Sequence, residues 1–362
     1  MVLLAFAGAG LVILVLWDGF ETVVLPRRVD KRVRISRLFY RVTWSAWRRI
    51  ALSIGEERND GFLGLYGPLS VILLFLLWFG LLIFGFGMLL YGINSKLALN
   101  GQPIDFATTL YMSGTNFFTL GIGDVTPNSP PGRAVTVVET GTGFGFLALV
   151  ISYMPVIYQS FSRREVNISL LDARAGSPPT AGEILRRYAR GGTPAGLHQM
   201  LLDWERWAAD ILESHISYPI VAYFRSQHER QSWLAALAAI TDFCSLLIVC
   251  GDEQQRNRGL LTFAMSRHAA VYLLQVFRRE MLEPPERLTP ADLAVIESIV
   301  VAAGLQPLSE GERILELGRM RRQYEPYMAS LAEMFLMPLP PFVFAVEPVD
   351  DWRTSEREPV GH

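Results

Sequence analysis

The chain has 362 residues, of which 51% are hydrophobic, and its formal net charge is -2. A nearly neutral chain lacks the excess of basic residues that binds nucleic acid, and two cysteines are too few for a disulfide framework. The sequence also contains no metal-ligand, phosphate-loop or nucleophile motif. We therefore expect no nucleic-acid partner, no cofactor and no enzymatic activity.

Three apolar segments near the amino terminus are each long enough to cross a membrane, since about 20 helical residues span a hydrocarbon core of about 30 Å. The first covers residues 1–26. The second, residues 69–91, has no charged side chain, and the third, residues 133–158, carries a single acid, Glu139. These segments predict an all-α membrane protein, with membrane helices in the amino-terminal part of the chain.

The basic residues predict how the chain is oriented. Residues 27–66 are rich in arginine, whereas the stretch 94–132 contains a single base, Lys96. By the positive-inside rule, the amino terminus is expected outside and the carboxy-terminal half in the cytoplasm of a multi-pass cell-membrane protein. Apolar and basic residues alternate at residues 34–50, which favours an amphipathic helix on the anionic inner leaflet. A connector held inside only by its charges is the alternative.

The carboxy-terminal half mixes charged and apolar residues at helical spacing, which predicts an all-helical cytoplasmic domain over residues 161–338. Its predicted helices cover about 180–190, 194–214, 217–250, 257–281, 290–303, 309–321 and 324–336. The apolar stretch 233–250 is long enough for a fourth span, but Asp242 in its middle favours a buried helix of this domain. Residues 339–362, rich in Pro, Asp and Glu, are expected to form a flexible tail.

A short stretch with unusual composition separates the second and third apolar segments. It contains "TNFFTLGIGDVTP" at residues 115–127. A short amphipathic helix, capped by Asp105, is predicted over residues 105–118 and ends within this stretch. That helix is too short to cross, so it must enter the membrane and return, which requires a protein-lined or water-lined path. Gly121 and Gly123 permit positive φ, so that successive carbonyl groups can point to one side. A dehydrated cation would satisfy such carbonyls, and the Thr119 hydroxyl would add one more oxygen.

The order of long helix, short helix, TLGIGD and long helix resembles the pore module of potassium channels, whose filter loop reads TVGYG. The resemblance covers about residues 69–158, within a pore domain that we place at 67–160. It implies a homotetramer in which four chains surround permeant K+. It further implies an ion-binding filter formed by Thr119, Leu120, Gly121, Ile122 and Gly123. Asp124 would be the acid at the outer mouth of the filter, and Gly143 would be the hinge of the inner helix.

Two features depart from the family pattern. Ile122 stands where the filter usually has tyrosine, so the hydroxyl that braces the filter is missing, and a weakly selective monovalent cation channel is the alternative function. An extra amino-terminal helix is present, but no membrane segment repeats arginine at every third position. Voltage sensing by an arginine-rich helix is therefore not predicted.

Three acids lie in the predicted membrane helices. Glu139 is in the outer half of the third segment, where we expect it to support the filter or its gating through a hydrogen bond near Thr115 or Asn116. The alternative is a glutamate close enough to the interface to reach water. Asp18 and Glu21 share a helix face, and they are expected either to pair with Arg27, Arg28 or an arginine of the amphipathic helix, or to remain exposed at the interface.

The leading hypothesis from the sequence is a potassium-selective channel subunit whose cytoplasmic helical domain controls gating. Besides K+, its expected partners are the lipid bilayer, three further copies of the chain and a regulatory ligand or protein that no motif identifies. A membrane-anchored sensor or scaffold that keeps a non-conducting pore fold is the alternative from another functional class.

Overall fold

A computed structural model describes residues 1–25, 34–54, 56–93, 97–98, 105–228 and 230–345. Within these ranges the regular secondary structure is helical apart from two short paired strands, which confirms the predicted all-α fold class. Two compact units are present, Met1–Gln159 and Ser160–His362. The first contains the three predicted membrane helices, and the second contains the predicted helical domain.

The first unit contains five helices. They are α1 (Val2–Gly19, continued by a π-helical turn at Phe20–Val24), α2 (Ile35–Ser53), α3 (Glu56–Gly92), α4 (Phe106–Phe117) and α5 (Pro130–Ala175), of which α5 extends into the second unit. By length and composition α1 with its π-helical turn, α3 and α5 could each cross a membrane. The helices α3 and α5 extend beyond the predicted spans, because hydropathy marks only the apolar part of a helix.

Small residues bring α1 and α3 into close contact. A Cβ added at Gly8 would lie 2.5 Å from the carbonyl oxygen of Gly85, and one added at Gly92 would lie 2.7 Å from the Cα of Ala5. Membrane helices associate closely through such residues, because lipid tails provide no hydrophobic force between helices and van der Waals packing must hold them together. The amino-terminal helix is thus packed directly against α3.

The helix α2 has one face on protein and one face exposed. Its Trp47 stacks on Phe62 of α3 with ring centroids 4.3 Å apart, and its Trp44 lies 4.8 Å from Tyr66. The opposite face exposes Leu38 and Val42, which are 59% and 58% accessible, and Arg41. The amphipathic helix is therefore present, and its position on the inner leaflet stays a prediction. Residues 27–33 of the basic segment lie outside the described residues.

A two-stranded antiparallel pair joins the two ends of the stretch between α3 and α5. The strands are β1 (Leu97–Ala98) and β2 (Thr126–Pro127), and Leu97 lies opposite Pro127. Next to this pair, Val125 is buried in a small apolar cluster with Leu90 and Met112. The segment that follows α4 is thereby fixed to the end of α3.

The second unit is built around the helix α8. Its elements after α5 are α6 (Ala181–Gly191), α7 (Pro194–Ser217), a 3-10 turn (Pro219–Tyr223), α8 (Trp233–Cys250), α9 (Glu253–Phe277), α10 (Pro290–Ala302), α11 (Arg313–Arg321) and α12 (Glu325–Phe335). Every residue of α8 is buried by protein. This burial supports the interpretation of residues 233–250 as a core helix, because no face of α8 is left for lipid.

Three predicted helices in this unit have wrong bounds, and one of them, predicted over 257–281, is observed at Glu253–Phe277. The predicted helix 217–250 is divided, because Pro219 opens a 3-10 turn and the Ser232 hydroxyl caps a new helix by accepting from the amide of Ala235 at 3.0 Å. The predicted helix 309–321 begins only at Arg313. The cap at Thr289 is present and forms a reciprocal capping box with Asp292.

The acid in the middle of α8 is held by a buried network. Asp242 forms an ion pair with Arg287 and accepts a hydrogen bond from the Tyr324 hydroxyl at 2.5 Å. The guanidinium of Arg287 also donates to the carbonyl of Pro340 at 2.9 Å and lies 3.5 Å from Glu325. Burial lowers the pKa of Arg287, but its negative neighbours, Asp242 first, raise it further, and the net direction is upward.

The predicted tail 339–362 begins too early. Phe342 and Val343 are buried, and the amide of Phe342 donates to the carbonyl of Arg287 at 3.1 Å. The carbonyl of Phe342 in turn accepts from the amide of Gly182 at 3.1 Å. Apolar side chains among the prolines allow this segment to pack on the domain. The rest of the predicted tail, residues 346–362, lies outside the described residues.

Candidate functional site

The helix α4 is a short helix with a well-formed start. Its cap, Asp105, accepts a hydrogen bond from the amide of Thr108 at 2.7 Å, and this bond lowers the pKa of the exposed Asp105 carboxyl. The helix has 12 residues, against the predicted range 105–118, and at 1.5 Å per residue it cannot cross a bilayer. At its end, the amides of Thr119 and Leu120 donate to the carbonyls of Asn116 and Thr115 at 2.9 and 2.8 Å.

The backbone after α4 alternates in the sign of φ. Positive values occur at Thr119 (57°), Gly121 (56°) and Gly123 (79°), and the intervening Leu120 and Ile122 lie outside that region. This alternation is the conformation that lets successive carbonyl groups face one side of an extended segment. The sequence predicted it for the two glycines. Thr119 was not foreseen, and a residue with a side chain adopts this region only at a cost of about 1–2 kcal/mol.

The same segment is open to its surroundings in the single chain. Leu120 is 64% and Ile122 58% exposed, although both are apolar. Thr119, Gly121, Gly123 and Asp124 are exposed as well. The single chain therefore leaves these two apolar side chains uncovered.

The end of the segment, at Asp124, is hydrogen-bonded back to α4. A side-chain hydrogen bond joins the hydroxyl of Tyr111 to Asp124. The carboxylate of Asp124 also accepts from the amide of Val125 at 2.9 Å. Tyr111 was not predicted from the sequence as a functional residue. The sequence shows only that a tyrosine lies on the short predicted helix that precedes Asp124.

Gly143 lies where α5 passes the end of α4. A Cβ at this position would overlap the carbonyl oxygen of Phe117 and lie 2.8 Å from its carbonyl carbon. The neighbouring Gly141 and Gly145 would meet nothing within 4 Å. Gly143 thus permits a close approach of α5 to α4, within a helix that is continuous here. Its role as a hinge stays a prediction.

Glu139 contacts a different residue of α4 from those expected. Its Oε1 is hydrogen-bonded to the hydroxyl of Ser113, which also lies 2.8 Å from the carbonyl oxygen of Ile83 on α3. Glu139 is fully buried, so it does not reach water at the interface in the single chain. The hydroxyl of Thr115 instead donates within α4 to Met112 at 2.9 Å, and for the Nδ2 of Asn116 the described chain supplies no hydrogen-bond partner. The predicted partners were wrong because the face of α4 turned to Glu139 carries Ser113.

The acids of α1 form a buried cluster with the start of α2. Asp18 accepts from the amide and the hydroxyl of Ser36, each at 3.0 Å, and from the indole of Trp78 on α3 at 3.0 Å. The Nε of Arg34 lies 3.4 Å from Glu21 and 3.8 Å from Asp18. The pair is therefore buried and not exposed at the interface. The suggested partners Arg27 and Arg28 lie outside the described residues.

Trp78 connects this cluster to α5. Its ring packs edge to face on Phe146 of α5 with centroids 5.7 Å apart. Trp78 was not predicted from the sequence as a functional residue, although a tryptophan in a charge-free apolar segment needs an acceptor for its indole N–H when it is buried. Asp18 supplies that acceptor from a different helix.

The described residues contain no group of three or more His, Cys, Asp or Glu side chains that could hold a metal ion. Cys244 and Cys250 are buried free thiols in the core helix α8. Burial raises the pKa of both thiols, so neither has the thiolate character of a reactive cysteine.

Comparison with known families identifies the segment around α4. Residues 71–159 match the model of a family described as "Ion channel". The match covers most of α3, all of α4, the segment 119–124 and α5 as far as the end of the first unit. It confirms the resemblance to a channel pore module and supports ion-channel function for the chain.

The chain is also similar to an uncharacterized membrane protein, YdjJ, of Bacillus subtilis (strain 168). The two are 22% identical over 259 residues, which cover 71% of this chain and 73% of that protein. The aligned region is thus longer than the segment 71–159 that matches the ion-channel family, and the relative is described as a membrane protein. No solved structure matches the chain significantly.

Proposed function

We propose, from the ion-channel match over residues 71–159, that the protein is a subunit of a potassium-selective channel in which four chains surround one ion path. The observation that carries the proposal is the alternation of φ at residues 119–123, directly after a helix too short to cross. In this proposal the carbonyl oxygens of Thr119 to Gly123 replace the hydration shell of K+. Asp124 lies at the outer mouth.

The helix α4 favours a cation at this position. Its carboxy-terminal end leads directly into Thr119, and the carboxy-terminal end of a helix carries partial negative charge. The described part of α4 contains no charged side chain that would oppose this effect. Backbone carbonyls and the helix end therefore act in the same direction.

Exposed apolar surface in the first unit is available for contact with further copies of the chain. Besides Leu120 and Ile122, the helix α5 exposes apolar side chains spaced seven residues apart. They are Val137, Phe144, Ile151 and Tyr158, which are 72%, 68%, 64% and 63% accessible. A stripe of this kind along a membrane helix fits contact with further copies or the lining of a shared path.

Selectivity for K+ depends on how firmly the filter is held. Ile122 cannot provide the hydroxyl that tyrosine gives to other filters. The hydrogen bond between Tyr111 and Asp124 supplies a different brace, one residue beyond Gly123. We therefore favour a potassium-selective path, and Ile122 is the observation that favours the alternative of a weakly selective cation channel.

In the proposed topology the amino terminus is outside and the second unit is cytoplasmic. The helix α5 belongs to both units, since it runs from Pro130 to Ala175. We propose that the second unit regulates opening through this shared helix. A sensor or scaffold without conduction remains the outcome if the pore carries no ions.

Planar bilayers test the proposal directly. Purified protein is placed between solutions with opposing potassium and sodium gradients, and the reversal potential of the current is measured. A value near the potassium equilibrium potential supports the proposed selectivity, and a value near zero supports the weakly selective alternative. Absence of current from protein that is folded and inserted in the bilayer contradicts both the potassium-selective and the weakly selective channel.

A further inference from the structure

The hydroxyl of Ser113 lies between two acceptors. One is the main-chain carbonyl of Ile83 on α3, at 2.8 Å, and the other is the carboxyl of Glu139 on α5. Ser113 itself belongs to α4, so this single hydroxyl joins the outer, pore and inner helices. Each of these two contacts needs one proton.

The number of protons on the three groups decides which of them donates. A serine hydroxyl has one proton to donate, and a main-chain carbonyl can only accept. If Ser113 donates to Ile83, the contact with Glu139 is a hydrogen bond only when Glu139 carries the proton. An ionised carboxylate would be a second pure acceptor, and one of the two contacts would then be lost.

The surroundings of Glu139 disfavour a charge. Glu139 is fully buried, and its Oε2 finds no hydrogen-bond partner within the described ranges. No salt bridge to Glu139 occurs among the described residues, whereas buried ionised carboxylates in proteins are paired or neutralised. The preceding base on its own helix, Arg133, donates its Nε to the carbonyl of Pro127 at 3.1 Å.

The other packed elements bring no cation to Glu139 either. The apolar part of α3, residues 69–91, has no charged side chain, and α4 has none. The titratable groups of the α4 region are Asp105 at its start and Tyr111, which is bonded to Asp124. After Glu139, α5 has no charged residue before Arg163.

We propose that Glu139 is a neutral carboxylic acid that donates to Ser113 and thereby positions the pore helix α4, and that its ionisation stops conduction. This inference rests on the proposed channel function. In the neutral state Glu139 donates to Ser113 and Ser113 donates to Ile83. Ionisation removes the first donor, and the proton of Ser113 turns to the new carboxylate. The link from α4 to α3 is then broken, while α4 ends two residues before Thr119.

Infrared spectroscopy tests the protonation directly. Full-length wild-type protein and Glu139→Gln are reconstituted in liposomes, and their difference spectrum is recorded. Other buried acids, such as Asp18 and Asp242, cancel in the difference. The expected result is a carboxylic-acid C=O stretch that is present in the wild type at neutral pH and lost in the variant. Absence of that band overturns the proposal, whatever the protein conducts.

Potassium flux into the same liposomes tests the positioning role. Glu139→Gln retains an N–H donor for Ser113, so it is expected to conduct and to lose the decline of flux that the wild type shows as the pH is raised. Glu139→Val and Ser113→Ala remove the link and are expected to lose flux at every pH. Thr115→Val is the matched control, since the hydroxyl of Thr115 donates only within α4.

The two experiments distinguish a failure of the inference about Glu139 from a failure of the proposed channel function. A wild-type pH profile in Glu139→Gln overturns the inference and leaves the channel function intact. Wild-type protein without potassium flux at any pH contradicts the proposed function. In that case the infrared band still decides whether Glu139 is neutral.

Discussion

Gly143 on α5 lies directly against the carbonyl group of Phe117, the last residue of α4. No side chain fits between the two backbones, because a Cβ would lie 3.1 Å from the Cα of Phe117 and would overlap its carbonyl oxygen. The helix α5 therefore touches the chain two residues before Thr119. This close approach requires a glycine at position 143.

Substitution of Gly143 by alanine should reduce potassium flux strongly. Glycine to alanine inside a helix normally stabilises by up to about 1 kcal/mol, whereas overpacking of a close contact costs about 1–3 kcal/mol. The contact should dominate, so Gly143→Ala is expected to lower both the flux and the melting temperature. Gly145→Ala is the matched control, because its Cβ would meet nothing within 4 Å. Equal flux in the two variants would show that the close approach is unimportant.

The hydrogen bond between Trp78 and Asp18 should stabilise the first unit. Trp78→Phe keeps an aromatic ring against Phe146 but leaves a buried oxygen of Asp18 without this donor, which costs about 1–3 kcal/mol. Thermal unfolding in detergent measures the loss. In a double-mutant cycle with Asp18→Ala, which removes the acceptor, the two effects should be coupled by about 0.5–3 kcal/mol. Purely additive effects would contradict the contact.

The ion pair between Arg287 and Asp242 should be important for the second unit. Arg287→Met leaves Asp242 buried without its cation, and we expect a loss of about 3–5 kcal/mol in the free energy of unfolding. Glu310→Gln removes the partner of Arg313 in an exposed pair, where the Glu310 side chain is 66% accessible, and should cost less than about 1 kcal/mol. Chemical denaturation of the full-length chain compares the two. Similar losses would argue against a special role for the buried pair.

His215 should make the second unit less stable in acid. Burial, and then the positive charge of Arg164, hold the pKa of His215 well below its ordinary value. The unfolded state binds a proton below about pH 6.5 while the folded state stays neutral, so stability is constant above that pH and falls as the pH drops below it. His215→Phe keeps a ring beside Trp233 and should reduce this fall in thermal unfolding.

Exposed His198 provides the control for that experiment. His198→Gln should retain the wild-type dependence of melting temperature on pH. If the melting temperature falls equally in acid for the wild type, His215→Phe and His198→Gln, the loss of stability is due to other titratable groups. Burial raises the pKa of Glu325, which acts in the opposite direction, so only the difference between variants identifies His215.

Local features of the sequence could be predicted, and long-range partners could not. The cap at Asp105 and the alternate glycines at 121 and 123 follow from neighbouring residues and steric rules. The partners of Glu139 and Asp18 lie on other helices, 26 and 60 positions away in the chain. They depend on how helices rotate against one another. Periodicity indicates a buried face, but not which residue lies opposite.

Potassium flux through Gly121→Ala liposomes, compared with Gly141→Ala and the wild type, tests the central claim most directly. A Cβ added at either glycine meets nothing within 4 Å, but Gly121 has a φ of 56° whereas Gly141 lies within the helix α5. The two variants therefore differ in backbone strain and not in available space. We predict that Gly121→Ala abolishes the flux and that Gly141→Ala keeps it. Wild-type flux in Gly121→Ala would contradict the claim that residues 119–123 line the ion path.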